Sequence, residues 1–262
     1  MKGETFQMPT FDVYENKNQA VRDAYAMLAA NIQINNKQHK QQLIIVTSCN
    51  PQEGKTTLAI NLSIALANSG FNVLLIDTDM RKPEKAKRLY QNVQMGLSDY
   101  INGRIELSEA IIKTNINHFS YLASGRHDPN PIALLSSSRF EGLVEKIRKD
   151  QALDYVIFDT PALTSVADGA LVASKGDAAL IVAKMGYTKT PDLKRVKEQL
   201  ERMNVTILGV VLNKVKKLDY KVHYRSYDYF FDAEHFYNNE AFGKKEAQNK
   251  KETMSKRDGI LS

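Results

Sequence analysis

The 262-residue chain contains no tryptophan and only one cysteine, Cys49. A single thiol cannot form a disulfide within the chain, so we expect a reducing compartment such as the cytosol. No segment approaches the roughly 20 consecutive apolar residues that a membrane-spanning helix needs. The N-terminal sequence MKGETFQMPTFDVYEN lacks the apolar core of a secretory signal. These absences together predict a cytoplasmic protein.

The chain also has little excess charge, with a net value of +6. Residues 213–262 hold 11 basic and 8 acidic residues, a surplus of three positive charges. This end of the chain is consistent either with a solvated tail or with attraction to an anionic membrane surface. No basic stripe interleaved with aromatic residues precedes residue 213, so nucleic acid is not an expected partner.

Short apolar runs alternate with segments of helical periodicity. The predicted strands cover residues 41–48, 72–77, about 119–122, 155–160, 178–183 and 205–213. The predicted helices are 19–34, 57–70, the serine-capped SSRFEGLVEKIRKD and TPDLKRVKEQLERMN. This alternation predicts an α/β fold, a mostly parallel sheet with helices on both faces. We expect an N-terminal extension at 1–18, one domain at 19–213 and a mobile tyrosine-rich tail at 214–262.

The segment SCNPQEGKTT, residues 48–57, lies between the first predicted strand and the first long helix after it. It fits the phosphate-binding loop pattern, except that Cys49 replaces the first glycine. Lys55 supplies a point charge for phosphates, and the Thr56 hydroxyl can ligate Mg²⁺. Cys49 is interpreted as a packing residue, because no histidine accompanies it. The expected nucleotide-binding residues of this loop, through consecutive N–H groups, are Gln52, Glu53, Gly54, Lys55, Thr56 and Thr57.

Three aspartates follow predicted strands: Asp77 and Asp79 after VLLI, and Asp159 after YVIF. The carboxyl ends of parallel strands meet at the edge of the sheet where ligands bind. Because side chains two apart in a strand point the same way, Asp77 and Asp79 can face one site. Each aspartate alone is also typical of a helix cap or turn. Together they suit a Mg²⁺ site plus a base for a hydroxyl nucleophile.

Three segments, SCNPQEGKTTLAINLSIALANSGFNVLLIDTDMRKP, PNPIALLSSSRF and ILGVVLNK, resemble the bacterial tyrosine kinases (BY-kinases) of capsule and exopolysaccharide synthesis. These kinases belong to the deviant-Walker P-loop ATPases, and the resemblance covers roughly residues 19–237. It implies ATP and Mg²⁺ as cofactors and transfer of the γ-phosphoryl group to C-terminal tyrosines, usually of a neighbouring subunit. By position, Lys55 binds phosphates, Thr56 and Asp159 organise Mg²⁺, and Asn213 contacts adenine. Asp77 and Asp79 divide the base and metal roles, and Asp77 is the favoured base.

Five of the 12 tyrosines lie between residues 219 and 240. In a mobile polar tail such tyrosines can reach a neighbouring active site, and each added phosphate brings about −1.5 to −2 charges. The alternative is a small aromatic cluster of Tyr224, Tyr227, Phe230 and Phe231 docked on the domain. The expected phosphate acceptors are Tyr220, Tyr224, Tyr227, Tyr229 and Tyr237.

The chain departs from the BY-kinase pattern at two places. Ala162 replaces a second proline, with little expected effect. Members commonly carry an acidic residue followed three and six positions later by arginines that join a ring-shaped octamer; here Asp23 is followed by Ala26 and Ala29. Without these guanidinium groups we expect no stable octamer, although self-association is possible.

The length resembles the Gram-positive arrangement, in which the kinase is a separate cytosolic chain. The resemblance then implies a membrane protein whose cytoplasmic end activates the kinase, a peripheral location at the inner membrane face, and a cognate phosphotyrosine phosphatase. Two other functions stay open. One is a positioning or partitioning ATPase, although those proteins typically carry an extra lysine early in the loop, where Ser48, Cys49 and Asn50 stand here. The other is an ATP-binding assembly module.

Overall fold

The computed structural model describes residues 19–39, 42–81 and 95–215. The strands are β1 Leu43–Ser48, β2 Val73–Asp77, β3 Ile111–Lys113, β4 Phe119–Leu122, β5 Tyr155–Asp159, β6 Ala178–Lys184 and β7 Thr206–Asn213. The helices are α1 Gln19–His39, α2 Lys55–Asn68, α3 Leu97–Ile101, α4 Leu107–Ala110, α5 Pro131–Leu135, α6 Ser138–Lys149, α7 Ala167–Ala173 and α8 Thr190–Arg202. The five tail tyrosines and residues 1–18 lie outside the described residues.

The strands form one seven-stranded sheet in the order β3-β4-β2-β5-β1-β6-β7. Every neighbouring pair is parallel except β3 and β4, which are antiparallel. The central strands β1, β2 and β5 are buried along their whole length, as strands covered on both faces must be. The mostly parallel sheet predicted from the continuous apolar runs is therefore confirmed.

Two apolar cores lie on opposite faces of this sheet. Alternate residues of β1 belong to different cores: Ile44 and Val46 pack in one with side chains of α1 and α2. Leu43 and Ile45 pack in the other with side chains of α6 and α8. This alternation follows from the twofold side-chain period of a strand, and it confirms helices on both faces.

Two predicted helix boundaries have the expected caps. After α2, Gly70 has a φ of +89°, which an L side chain rarely adopts. Its N–H donates to the Ala67 carbonyl at 2.9 Å, and the Phe71 N–H donates to the Leu66 carbonyl at 3.3 Å. This pair of bonds is the Schellman arrangement that ends a helix. At the start of α6, the Ser137 hydroxyl accepts from the Phe140 N–H at 3.2 Å.

Other boundaries differ from the predicted ones. Helix α1 extends five residues further, to His39, and α2 begins two residues earlier, at Lys55. Both additions are polar, so apolar periodicity does not report them. The short elements β3, α5 and α7 were not predicted, since three to seven residues are too few for a periodic signal. Helix α5 depends instead on its cap, where Asn130 accepts from the Ala133 N–H at 3.2 Å.

Cys49 is fully buried and belongs to the core on the α6 face. Burial, with a smaller effect from the charge of Glu53, raises the pKa of this thiol to about 12. A thiol with so high a pKa stays protonated and unreactive at neutral pH, which confirms the interpretation of Cys49 as a packing residue. Among the helices of the described residues, none is long and apolar enough to cross a membrane.

Candidate functional site

The loop between β1 and α2 is shaped by Gly54, which adopts a φ of +103°. A Cβ atom at this position would lie 2.0 Å from the Asn213 amide nitrogen, so only glycine fits between the loop and the end of β7. That nitrogen donates to the Glu53 carbonyl at 2.8 Å. Lys214, the next residue, donates from Nζ to the Gln52 carbonyl at 2.9 Å. The end of β7 therefore holds the phosphate loop at two successive carbonyls.

Glu53 stabilises the loop through its carboxylate. The side chain is buried, and its oxygens accept from the Asn50 backbone N–H at 3.0 Å and the Asn50 amide at 3.3 Å. The Thr188 hydroxyl, from the segment between β6 and α8, donates to the same carboxylate. The sequence predicted only that the backbone N–H of Glu53 contacts phosphate. The structural role of its carboxylate within the loop was not predicted.

Lys55, Thr56 and Thr57 form the first turn of α2, and each is half-buried. The Leu58 N–H already donates to the Gly54 carbonyl at 3.0 Å. The N–H groups of a helix's first turn point toward its N-terminal end, where an anion can bind them. They lie at the positive end of the macrodipole, beside the Lys55 ammonium, so this turn suits an anionic phosphate.

Asp77 and Asp159 end the neighbouring parallel strands β2 and β5, and their Cα atoms are register partners. Both side chains are buried. The Thr78 N–H and hydroxyl donate to the Asp159 carbonyl at 3.0 and 2.7 Å, which ties the two strand ends together. β1, which leads into the phosphate loop, pairs with β5 on its other side. The two carboxylates and the loop therefore meet at one edge of the sheet.

Contrary to expectation, the position of Asp79 is not set by strand geometry. Because β2 ends at Asp77, the alternation of side chains along a strand does not position Asp79. Instead its backbone N–H donates to the Asp77 carboxylate at 2.9 Å, a local turn stabilised by an aspartate. Asp79 itself is half-buried.

The electrostatic environment of Asp77 is unfavourable for its charge. Burial raises its pKa well above the usual range, and the nearby charge of Asp159 raises it further. Hydrogen bonds from the Asp79 backbone and the Ser124 side chain lower the pKa and offset part of this effect. A carboxyl group that binds its proton more tightly is better suited to act as a base near neutral pH.

The side chains at this edge fit Mg²⁺, a hard cation that prefers oxygen ligands. Among the described residues, no group of three or more His, Cys, Asp and Glu side chains is arranged to hold a metal. Mg²⁺ is usually bound through one or two carboxylates, with water and substrate phosphates completing its shell. Asp79, Asp159 and the Thr56 hydroxyl supply oxygen donors of this kind beside the loop.

Four polar side chains at the site were not predicted: Ser124, Thr164, Thr188 and Lys214. Ser124 follows β4 in the sequence LASG, so its place after a strand was the available signal. Lys214 is the last residue of the segment ILGVVLNK, but no role was expected for it. The Thr164 hydroxyl donates to the Cys49 carbonyl. Thr164 and Thr188 are more than 100 residues from the loop that they contact, and no local pattern indicates such bonds.

We expect Asp77→Asn to stabilise the protein in the absence of nucleotide and Mg²⁺. Because the pKa of Asp77 is raised on folding, the stability tied to its protonated form is lost as pH rises from the unfolded pKa through the folded one. The gain from Asn should therefore grow as pH rises above the usual range of aspartate titration, with roughly 2–4 °C in Tm for each kcal/mol.

Thermal unfolding of Asp77→Asn and of Glu145→Gln measures this gain. Glu145 is an exposed helix carboxylate, 72% accessible, so its neutralisation should leave Tm nearly unchanged. If Asp77→Asn had a lower Tm than the unaltered protein at the highest pH measured, the unfavourable environment of the Asp77 charge would be contradicted.

Comparisons with known proteins agree with this geometry. Residues 41–213 match the AAA domain family AAA_31. The chain is 37% identical over 212 residues to the tyrosine-protein kinase CpsD of Streptococcus pneumoniae serotype 4, across 79% of this chain and 92% of the relative. The kinase domain of the Escherichia coli tyrosine kinase ETK superposes with a TM-score of 0.73 at 27% identity, covering 82% of this chain and 86% of that one.

The septum site-determining protein MinD from Pyrococcus horikoshii OT3 has the same fold, with a TM-score of 0.55 at 23% identity over 65% of this chain and 69% of that one. The kinase structure and the kinase relative are both more similar to the chain than MinD, and the kinase relative matches over nearly its full length. The chain therefore belongs to the bacterial tyrosine kinases of capsule and exopolysaccharide synthesis, within the nucleotide-binding P-loop ATPases.

Proposed function

We propose that the protein transfers the γ-phosphoryl group of ATP to tyrosines in the C-terminal cluster of a second copy, and so regulates polysaccharide synthesis and export. The observation that carries this proposal is the register pairing of Asp77 with Asp159 beside the Gly54–Lys55 loop. A buried carboxylate pair next to a phosphate-binding turn can accept a proton from a phenol and balance a cation. The acceptors are Tyr220, Tyr224, Tyr227, Tyr229 and Tyr237.

The proposal assigns a part in this reaction to each of the predicted site residues. The N–H groups of residues 52–57 and the Lys55 ammonium bind and orient the phosphates. Asp77, whose pKa is raised, takes the phenolic proton. Thr56, Asp159 and Asp79 would hold Mg²⁺, which would supply positive charge to stabilise the phosphates during transfer. Asn213, fixed against the loop by its bond to Glu53, contacts the adenine.

Incubation of the full chain with labelled ATP and Mg²⁺ tests this function. Tail label should fall by at least about 100-fold in Lys55→Met, which loses the phosphate-binding charge. A similar loss is expected in Asp77→Asn, which loses the base but keeps nucleotide binding. Replacement of the five tail tyrosines by phenylalanine should leave an ATP site without a self-acceptor.

Lys197→Met is a matched control, because Lys197 is exposed on α8 and paired with Glu201 at 2.9 Å, so its loss should not affect labelling. Label found mainly at Tyr90 or Tyr121 would contradict the role of the tail. ATP hydrolysis without any tyrosine label would favour a positioning ATPase, the function class of the MinD-like alternative.

The membrane partner is part of the same proposal. The cytoplasmic end of a membrane protein activates this chain and keeps it at the inner face of the membrane, and a phosphotyrosine phosphatase reverses the reaction. Adding that cytoplasmic segment to the labelling assay should raise the rate of tail phosphorylation. An identical rate with and without the segment would argue against activation by a membrane partner.

Self-association is proposed to be weak. Ala29 is fully buried in the core that α1 shares with α2, whereas Ala26 is exposed. Neither position supplies the guanidinium group that could bind a neighbouring carboxylate in two places.

Sedimentation velocity should therefore show species smaller than an octamer. Ala26→Arg should fold normally and strengthen association. Ala29→Arg should instead unfold the protein, because burying an unpaired charge costs several kcal/mol. A stable octamer of the wild-type chain would contradict this proposal.

A further inference from the structure

The segment after β4 runs directly beside Asp77. Because Ile76 of β2 is the register partner of Leu122 of β4, this segment starts with Ala123 next to Asp77 and continues with Ser124. Its backbone is fastened to the start of α3, because the Leu97 N–H donates to the Ala123 carbonyl at 2.8 Å and the Ser98 N–H donates to the Ser124 carbonyl at 3.0 Å. Gly125 follows with a φ of +84°, so the chain turns sharply there. Arg126 is thereby held three residues after Ala123, the neighbour of Asp77 in the parallel register.

A buried carboxylate, Asp99 of α3, holds two arginines at this place. Its Oδ2 accepts from the backbone N–H groups of Gly96 at 3.1 Å and Arg126 at 3.2 Å. Its Oδ1 lies 3.2 Å from Nη1 of Arg104 and 3.5 Å from Nε of Arg126. The two guanidinium groups converge on one oxygen, yet their side chains stay 48% and 51% exposed.

A third cation adds to this surface. The Arg139 guanidinium lies 5.2 Å from the centroid of the Tyr100 ring, next to Asp99 in sequence. We call Arg104, Arg126 and Arg139 the arginine patch. The nearby Asp128 accepts hydrogen bonds from Asn102 at 3.4 Å and from the Asn130 N–H at 2.8 Å. Three arginines face two carboxylates, Asp99 and Asp128, so the patch keeps a positive surplus beside the aspartate end of the site.

The C-terminal sequence contains a segment of opposite charge. Residues 226–234, SYDYFFDAE, hold three acidic residues and no basic one, and they include Tyr227 and Tyr229. The preceding residues 220–225, YKVHYR, hold Lys221 and Arg225 and no acidic residue. The candidate acceptors therefore differ in the charge that surrounds them.

We propose that the arginine patch binds the acidic segment 226–234 of a second copy and so selects Tyr227 and Tyr229 as the first acceptors; this rests on the proposed kinase function. Guanidinium groups bind carboxylates through paired N–H donors, and half-exposed arginines keep donors available for a second carboxylate. If the segment binds as an extended chain, which advances about 3.3 Å per residue, Asp232 would stand about 10 Å from Tyr229. When Tyr227 or Tyr229 of the second copy lies against Asp77, the acidic residues beside that tyrosine are then within reach of Arg126.

Peptide kinetics test the patch. The enzyme is the full chain with its five tail tyrosines replaced by phenylalanine. The substrates are the peptide 226–234 and a neutral version carrying Asp228→Asn, Asp232→Asn and Glu234→Gln. The unaltered patch should give a KM about fivefold lower for the acidic peptide, a difference that about 0.5 M salt removes. Arg126→Gln should raise KM for the acidic peptide alone, with kcat within about twofold of its original value.

Arg148→Gln is the matched control. Arg148 is 41% exposed and paired with Asp177 at 2.6 Å, but it lies at the opposite edge of the sheet, where β6 begins. Its replacement should leave KM unchanged for both peptides. If Arg126→Gln lowers Tm strongly, Arg104→Gln repeats the test, since Arg126 then still neutralises Asp99.

The order of phosphorylation in the full chain is an independent readout. Mass spectrometry over time should detect phosphate at Tyr227 and Tyr229 before Tyr220 and Tyr224, and Arg126→Gln should remove this order. Equal KM values for the two peptides, or an equal effect of Arg126→Gln on both, would overturn the inference while leaving the kinase function intact. If no tyrosine is labelled at all, the proposed function fails. In that case fluorescence anisotropy with labelled peptides tests the arginine patch separately. The inference requires the acidic peptide to bind more tightly than the neutral peptide.

Discussion

The site depends on the close pairing of two buried carboxylates, Asp77 and Asp159, at the ends of adjacent parallel strands. Their Cα atoms are in register, and the Thr78 contacts to the Asp159 carbonyl fix that register. Burial disfavours the ionised form of Asp77, and the nearby charge of Asp159 disfavours it further, so the pKa of Asp77 is raised. The rest of the fold, two cores on a rigid sheet, holds the pair together against this repulsion. Such stored unfavourable energy is typical of functional sites.

The phosphate loop is held by parts of the chain that are distant in sequence. Asn213 and Lys214 bind the carbonyls of Glu53 and Gln52, and Thr188 binds the Glu53 carboxylate. Because β7 ends at Asn213, the last strand of the sheet contributes directly to the loop that precedes α2. The tail therefore leaves the domain, in sequence, immediately after residues that contact the nucleotide loop.

Much of this arrangement could be predicted, because it follows from local patterns. Continuous apolar runs such as LIIV and YVIF indicate buried parallel strands, and the aspartates at their ends indicate a ligand edge. The element β3 and the arginine patch could not be predicted from the same patterns. They form where segments that are distant in sequence come into contact. Asp99, for example, pairs with Arg104, which precedes β3, and with Arg126, which follows β4. The turn at Asp79 could not be predicted either. The alternation of side chains ends with the strand at Asp77, and the position of Asp79 is set by a hydrogen bond from its backbone N–H to the Asp77 carboxylate.

The most direct measurement of the central claim is a crystal structure with a non-hydrolysable ATP analogue and Mg²⁺. We expect the γ-phosphate at the Gly54–Lys55 turn, with the cation within coordination distance of at least one of Asp77, Asp79 and Asp159 or bound to them through water. A cation with all three carboxylates turned away from it would contradict the account.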